Sequence, residues 1–188
     1  MLPIILTGII VLIVAQNFLL VQKSGQYLRR IDSLTEALNR LTVMNPGDSV
    51  QAMEVLTLEG TSVTIEPRAE SLRLLLVFAT WCSACRGNMT QWNMIVGEKD
   101  LSRLEVVGLS PDPISTLKEF LSTAEVSYPV YSLSNDSTLV NKYKFISVPQ
   151  TILLGPSGIV VRLWNGGLSD RGREEVLQEI KRAIEMLG

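Results

Sequence analysis

The chain has 188 residues, a formal net charge of −2, two cysteines and no histidine. This length fits one domain with an appended segment, and the dispersed lysines and arginines argue against a nucleic-acid-binding surface. A structural zinc ion needs four Cys, His or carboxylate ligands, so this composition argues against a metal site. No cofactor is expected.

Residues 1–22 are predicted to form a transmembrane anchor. The stretch carries no charged side chain, and polar residues interrupt it only at Thr7, Gln16, Asn17 and its last position. About 20 mostly apolar residues suffice to cross a bilayer as a helix. A cleaved signal peptide fits less well, because it would begin with basic residues and end at a small-residue cleavage site. The chain is therefore expected to be a single-pass protein of the cytoplasmic membrane.

Residues 23–45 are predicted to form a helical stalk. Apolar residues recur there at alternating spacings of four and three, at Tyr27, Ile31, Leu34, Leu38 and Leu41. This spacing gives one apolar face of a helix. The stretch holds only two heptads, fewer than a stable coiled coil needs, so pairing of two stalks into a dimer stays an open alternative. Pro46 and Gly47 end the helix, and the folded domain is expected over residues 46–188.

The domain alternates strand and helix patterns. The predicted strands and helices are a hairpin of Met53–Leu58 and Ser62–Ile65, a strand over 72–80, a helix over 83–96, a strand over 104–109, helices over 113–124 and 137–143, a hairpin of 152–154 and 159–164, and a closing helix over 169–187. Such alternation predicts an α/β domain with helices on both faces of a central sheet. Trp92, in the first of these helices, is expected to pack between helix and sheet.

The only two cysteines, Cys82 and Cys85, follow the apolar strand 72–80 directly. Cys82 is expected at the N-terminus of the next helix, where free backbone N–H groups and the helix dipole favour a thiolate. Arg86 adds a positive charge nearby. Both effects lower a cysteine pKa from about 8.5 toward neutrality, and the thiolate is the attacking species. The spacing predicts a redox pair in which Cys82 attacks and Cys85 resolves the mixed disulfide.

A second signal lies downstream, where Val148 and Pro149 precede the final hairpin. A proline at the head of a strand costs only one hydrogen bond of the sheet, so by itself Pro149 indicates no more than the start of a strand.

Together, the Trp81–Cys85 motif, the Val148–Pro149 pair and the closing helix resemble a thioredoxin fold with a central mixed sheet. More narrowly, the chain resembles membrane-anchored thiol-disulfide oxidoreductases of the TlpA/ResA type and the related redoxin-domain MauD-like proteins. The resemblance implies that Pro149 is cis, lies beside the cysteine pair and helps present Val148 to a partner polypeptide. Trp81 is expected to support the site. The implied partners are protein disulfides or dithiols and an upstream electron donor.

The chain departs from this family pattern at acidic positions near the cysteines. Leu76 stands where related proteins carry Asp or Asn, and Asn88 stands where the TlpA/ResA pattern often has Glu. A buried carboxylate can accept the proton that Cys85 must lose before it attacks. Asp112, which follows a predicted strand, is a weak candidate for that role.

The predicted function is a membrane-tethered thiol-disulfide oxidoreductase that acts on extracytoplasmic proteins. Protein disulfides persist outside the cytoplasm, which favours a periplasmic or extracellular domain. The basic residues near the anchor, Lys23, Arg29 and Arg30, follow it, and a positive-inside count would instead keep the domain in the cytoplasm. Two alternatives stay open: a MauD-like maturation or docking factor for a disulfide-containing enzyme, and a cytoplasm-facing redox sensor.

Overall fold

A computed structural model describes residues 2–99, 101–133 and 136–187, with side chains in the first helix described for residues 15–35 and 37. The chain divides into two units, Met1–Leu41 and Thr42–Gly188.

The first unit is formed by a long helix, α1, which spans Leu2–Thr42. The predicted anchor over residues 1–22 begins at Met1, outside the described residues, and most of its side chains are also outside them. Among the residues that the structure describes, no helix combines the length and apolar character needed to cross a membrane. Further along α1, Tyr27, Ile31 and Leu34 are exposed in the single chain. Pairing of two stalks through this stripe stays a prediction.

The second unit is built from one mixed sheet and four further helices within the described ranges. The strands are β1 Met53–Leu56, β2 Ser62–Ile65, β3 Leu72–Val77, β4 Leu104–Ser110, β5 Val130–Ser132, β6 Gln150–Leu154 and β7 Val160–Asn165. The helices are α2 Ser83–Val96, α3 Ile114–Thr123, α4 Ser137–Lys142 and α5 Asp170–Glu185, with a 3₁₀ turn at Pro156–Gly158.

The strand order in the sheet is β2-β1-β5-β4-β3-β6-β7. β3 pairs in parallel with β4 and antiparallel with β6, so it lies inside the sheet with a partner on each side. This confirms the predicted mixed sheet of the thioredoxin type. The sequence pattern did not predict β5, a strand of three residues that pairs in parallel with β4 and antiparallel with β1.

The position of β3 in the sheet explains why its sequence is apolar at every residue except Arg73. Successive side chains of a strand point to opposite faces of the sheet. Leu72, Leu74 and Leu76 pack on one face with residues of α2, α3 and α5, whereas Leu75 and Val77 pack on the other face with residues of α4 and its flanking segments. Every side chain of β3 is buried, as expected for a central strand that is covered on both faces. The redox motif follows directly at the end of this rigid strand.

Candidate active site

Cys82 and Cys85 form a disulfide at the start of α2. Cys82 is the N-cap residue of the helix, and the backbone N–H of Cys85 donates a hydrogen bond to Cys82 Sγ over 3.1 Å. Cys82 retains 8 % exposure, whereas Cys85 is completely buried. The structure thus places Cys82 at the helix N-terminus, as predicted from the sequence, and makes it the more accessible sulfur. In the dithiol form the same N–H would stabilise a Cys82 thiolate.

The predicted partner loop lies directly against this sulfur. The Val148–Pro149 peptide bond is cis, as the family resemblance implied. The carbonyl oxygen of Val148 lies 3.8 Å from Cys82 Sγ. The disulfide sulfur has no hydrogen to donate, so this approach is a contact and becomes a potential S–H···O hydrogen bond only after reduction. Residues 66 positions apart in the chain are therefore brought together at the site.

Three hydrogen bonds hold the Val148–Pro149 segment. The Gln150 Nε2 group donates to the Lys144 carbonyl over 2.9 Å, Gly166 N–H donates to the Pro149 carbonyl over 2.8 Å, and Ser147 Oγ lies 3.2 Å from Asn165 Oδ1. Gln150 is fully buried, so its amide is a strong anchor for the loop before it. Sequence reasoning did not single out this residue.

The remaining predicted site residues lie near the cysteines with different environments. The Trp81 side chain is 72 % exposed, so most of its indole faces solvent beside Cys82. The Arg86 guanidinium lies 4.6 Å from the centre of the Phe120 ring, a cation–π contact that holds the charge against α3. The described contact of this charge is thus with an aromatic ring rather than with either sulfur.

Leu76 and Asn88, the two positions at which the sequence departs from the family pattern, are both buried. Leu76 packs in the core cluster that also contains Cys85. Asn88 is 2 % exposed, its Oδ1 accepts the Leu168 N–H over 2.7 Å, and its Nδ2 has no hydrogen-bond partner. Asn88 lies three residues after Cys85, on the same buried face of α2. The site therefore presents a buried amide one helical turn after Cys85.

Asp112 has a role that the sequence did not indicate. Its Oδ2 accepts the backbone N–H of Thr80 over 2.6 Å and the Ser110 hydroxyl over 3.1 Å. This carboxylate binds the turn that leads to Cys82. In the described ranges, no cluster of three or more His, Cys, Asp or Glu side chains could hold a metal ion.

A sequence profile of the AhpC/TSA family matches residues 46–163, which is more than half of the chain. The chain belongs to the AhpC/TSA family. Within this AhpC/TSA domain, the thiol-disulfide oxidoreductase ResA of Halalkalibacterium halodurans is a relative, 24% identical over 125 residues that make up 66% of this chain and 70% of ResA.

Solved structures share the fold of this AhpC/TSA protein. A protein described as the thiol:disulfide interchange protein DsbE from Chlorobium tepidum superposes with a TM-score of 0.65 at 21% identity, over 77% of this chain and 99% of that one. StoA from Bacillus subtilis gives a TM-score of 0.58 at 17% identity, over 71% of this chain and 98% of StoA. The predicted resemblance to TlpA/ResA-type proteins is confirmed, and so is the prediction of a thioredoxin-like thiol-disulfide oxidoreductase.

Proposed function

We propose that this protein is a membrane-tethered thiol-disulfide oxidoreductase that reduces or exchanges disulfides in extracytoplasmic proteins. One observation carries the chemical part of this proposal: Cys82 Sγ caps α2, accepts the Cys85 N–H and lies 3.8 Å from the Val148 carbonyl oxygen. The sulfur that can be reached from outside is thus also the one that the helix N-terminus would stabilise as a thiolate.

The proposed cycle transfers two electrons from the Cys82–Cys85 dithiol to a substrate disulfide. The Cys82 thiolate attacks one substrate sulfur, the substrate S–S bond breaks, and the leaving thiolate takes up a proton. Cys85 then loses its proton to water and attacks Cys82 Sγ, which releases the second substrate thiol and leaves the protein disulfide. An upstream dithiol donor restores the reduced pair. Running the same steps in reverse would oxidise a dithiol substrate.

The substrate is proposed to be a protein because of the surface beside Cys82. Trp81 and Ile146 are 72 % and 63 % exposed, and both are large apolar side chains. Ile146 lies two residues before Val148, whose carbonyl contacts the sulfur, so the two side chains come from the two segments that meet at Cys82. Exposed apolar surface of this kind is typical of a site that docks a polypeptide.

Trapping of the mixed disulfide tests the proposed chemistry. Cys85→Ser leaves the attacking cysteine in place and removes the resolving one, so a covalent complex with a disulfide-containing protein such as insulin should accumulate. Cys82→Ser is the matched control and should form no such complex. The wild-type protein should reduce insulin in the presence of dithiothreitol. If neither turnover by the wild type nor trapping by Cys85→Ser occurs, the oxidoreductase proposal is wrong and a docking role gains support.

The membrane tether and its orientation are a separate part of the proposal. The support for the tether is the uncharged stretch over residues 1–22, and the support for an outside domain is the family resemblance. The test is labelling of reduced Cys82 in intact cells with a membrane-impermeant maleimide, with permeabilised cells as control. Labelling of intact cells supports an extracytoplasmic domain. Labelling only after permeabilisation would place the domain in the cytoplasm.

A further inference from the structure

In the turn that precedes Cys82, one backbone N–H donates a hydrogen bond to a side chain outside the turn. The Cys82 N–H donates to the Ala79 carbonyl over 3.2 Å, which closes a tight turn over residues 79–82. Thr80 lies within this turn, and its N–H donates to Asp112 Oδ2 over 2.6 Å. A short hydrogen bond from an N–H to a carboxylate belongs to the stronger class of protein hydrogen bonds. Asp112 therefore binds the turn two residues before the attacking cysteine.

Asp112 itself is held by the sheet. The Ser110 hydroxyl donates to the same Oδ2 over 3.1 Å, the Asp112 N–H donates to Ser110 Oγ over 3.2 Å, and the Ser132 hydroxyl donates to the Asp112 carbonyl over 2.7 Å. Ser110 and Ser132 are fully buried at the ends of β4 and β5. The acceptor for Thr80 is thus fixed from two neighbouring strands.

This contact lies beyond the point where the sheet can position the chain. The last described backbone hydrogen bond from the β3 side to the β4 side is Phe78 N–H to the Leu109 carbonyl, at 3.0 Å. Between Phe78 and Cys82 the chain leaves the sheet and enters the helix. The Asp112–Thr80 hydrogen bond falls within this stretch. A residue that follows β4 therefore holds the chain at Thr80, two residues beyond Phe78.

We infer that Asp112 is a positioning residue for the thiol-disulfide exchange: through Thr80 it fixes the turn of residues 79–82 and with it the place of Cys82 at the N-cap of α2. This inference rests on the proposed function. It gives Asp112 a geometric role in place of the proton-accepting role for which the sequence made it a weak candidate. Misplacement of a reacting group by a fraction of an ångström to one ångström slows a reaction by about tenfold to a hundredfold.

Two matched substitutions separate geometry from charge. Asp112→Asn keeps an oxygen at the same distance from the chain but removes the charge, whereas Asp112→Glu keeps the charge and moves the carboxylate by one methylene. Two rates are measured on the full-length reduced protein: reduction of 5,5′-dithiobis(2-nitrobenzoate), and alkylation of Cys82 by iodoacetamide as a function of pH. Circular dichroism checks that each variant is folded.

The inference expects Asp112→Asn to react within about threefold of the wild type and Asp112→Glu to react about tenfold more slowly. The alkylation profile of Asp112→Glu should move to higher pH, because a displaced Cys82 loses its place at the helix N-terminus. Equal rates and equal pH profiles for wild type and Asp112→Glu would overturn the inference. A loss of rate in Asp112→Asn with none in Asp112→Glu would show that the charge acts rather than the position of the carboxylate, and would overturn the inference as well. Alkylation needs no turnover, so failure of the wild type to reduce any disulfide would count against the proposed function and leave this measurement valid.

Discussion

The indole Nε1 of Trp92 donates a hydrogen bond to the Thr151 hydroxyl over 2.8 Å, and both residues are fully buried. Trp92 lies in α2, the helix that Cys82 caps, and Thr151 lies in β6, two residues after the cis proline. The bond therefore joins the two segments that carry the sulfur and the Val148 carbonyl. Each is also held by packing in the same core face, since Trp92 and Leu153 belong to one cluster.

Replacement of Thr151 by valine is expected to destabilise the protein. Thr151→Val leaves the buried indole N–H without an acceptor, and an unpaired buried donor costs about 1–3 kcal/mol in the free energy of unfolding. Thr151→Ser is the control, because it keeps the hydroxyl and loses only a methyl group, at about 0.8 kcal/mol. Urea denaturation of the oxidised proteins measures both. A valine variant as stable as the wild type would contradict the importance of this bond.

The sequence predicts the parts of the site that depend on neighbouring residues. The apolar run of β3, the cysteine at the start of α2 and the Val148–Pro149 pair are local patterns, and the structure places all of them as expected. Trp92 was expected to pack between helix and sheet, and its burial agrees with that expectation.

The features that the sequence does not predict are contacts between distant residues. Asp112 binds Thr80 across 32 positions, and Trp92 binds Thr151 across 59. Neither pair has a local signal, because a hydrogen bond between distant side chains is specified by the fold and not by spacing. The strand β5 escapes prediction for a related reason: with only three residues it is defined by its pairing with β4 and β1 rather than by its own pattern.

The buried tyrosine beside α2 predicts a loss of stability at alkaline pH. Burial raises the pKa of Tyr128 well above its ordinary value, and its hydroxyl donates to Met89 Sδ, a weak acceptor, over 3.2 Å. The unfolded chain, with a tyrosine pKa of about 10, then loses its proton at a lower pH than the folded protein. The contribution of Tyr128 to the free energy of unfolding is therefore fully present below the unfolded-state pKa of about 10 and declines as the pH rises above it.

We expect the wild type to lose stability more steeply than Tyr128→Phe above pH about 10, by up to about 1.4 kcal/mol per pH unit. Denaturation curves of both proteins at pH 8, 10 and 11, chosen as about one to two units around the ordinary tyrosine pKa, give the comparison. The two proteins should respond alike to pH below about 9. Parallel losses of stability from pH 10 upward would show that Tyr128 does not titrate differently in the folded state.

Asn88→Asp should make the stability of the protein depend on pH near neutrality. The substitution replaces the unpartnered Nδ2 with an oxygen and keeps an acceptor for the Leu168 N–H. At a site that is 2 % exposed, burial disfavours the charged form of the new carboxyl and raises its pKa above the unfolded value of about 4. The unfolded chain then releases the proton first, so the variant becomes less stable relative to wild type as the pH rises from about 4 to 7.

The measurement is the difference in unfolding free energy between Asn88→Asp and the wild type at the two ends of that pH range, with an expected change of about 1–3 kcal/mol. A difference that does not vary with pH would mean that the new carboxyl reaches solvent. The same variant places an acid one helical turn after Cys85, on its buried face. If Asn88→Asp also speeds the release of substrate from the mixed disulfide, the rate of that step in the natural protein is limited by the lack of an acid at position 88.

The exposed side chains of Trp81 and Ile146 are expected to contribute to the binding of protein substrates and to have little effect on the reaction with small disulfides. Trp81 and Ile146 offer apolar surface on the two segments that meet at the sulfur, and a docked polypeptide would bury part of both. Truncation of one large apolar side chain within an interface costs about 1–3 kcal/mol of binding, or about five- to 150-fold in affinity. Trp81→Ala and Ile146→Ala should therefore raise KM for insulin by about that factor and change the rate with 5,5′-dithiobis(2-nitrobenzoate) by less than about threefold.

Met186→Ala is the matched control, because Met186 is also an exposed apolar side chain but caps the C-terminal end of α5, and it should change neither value. Equal effects on insulin and on the small disulfide would instead assign Trp81 and Ile146 to the reactivity of Cys82 itself.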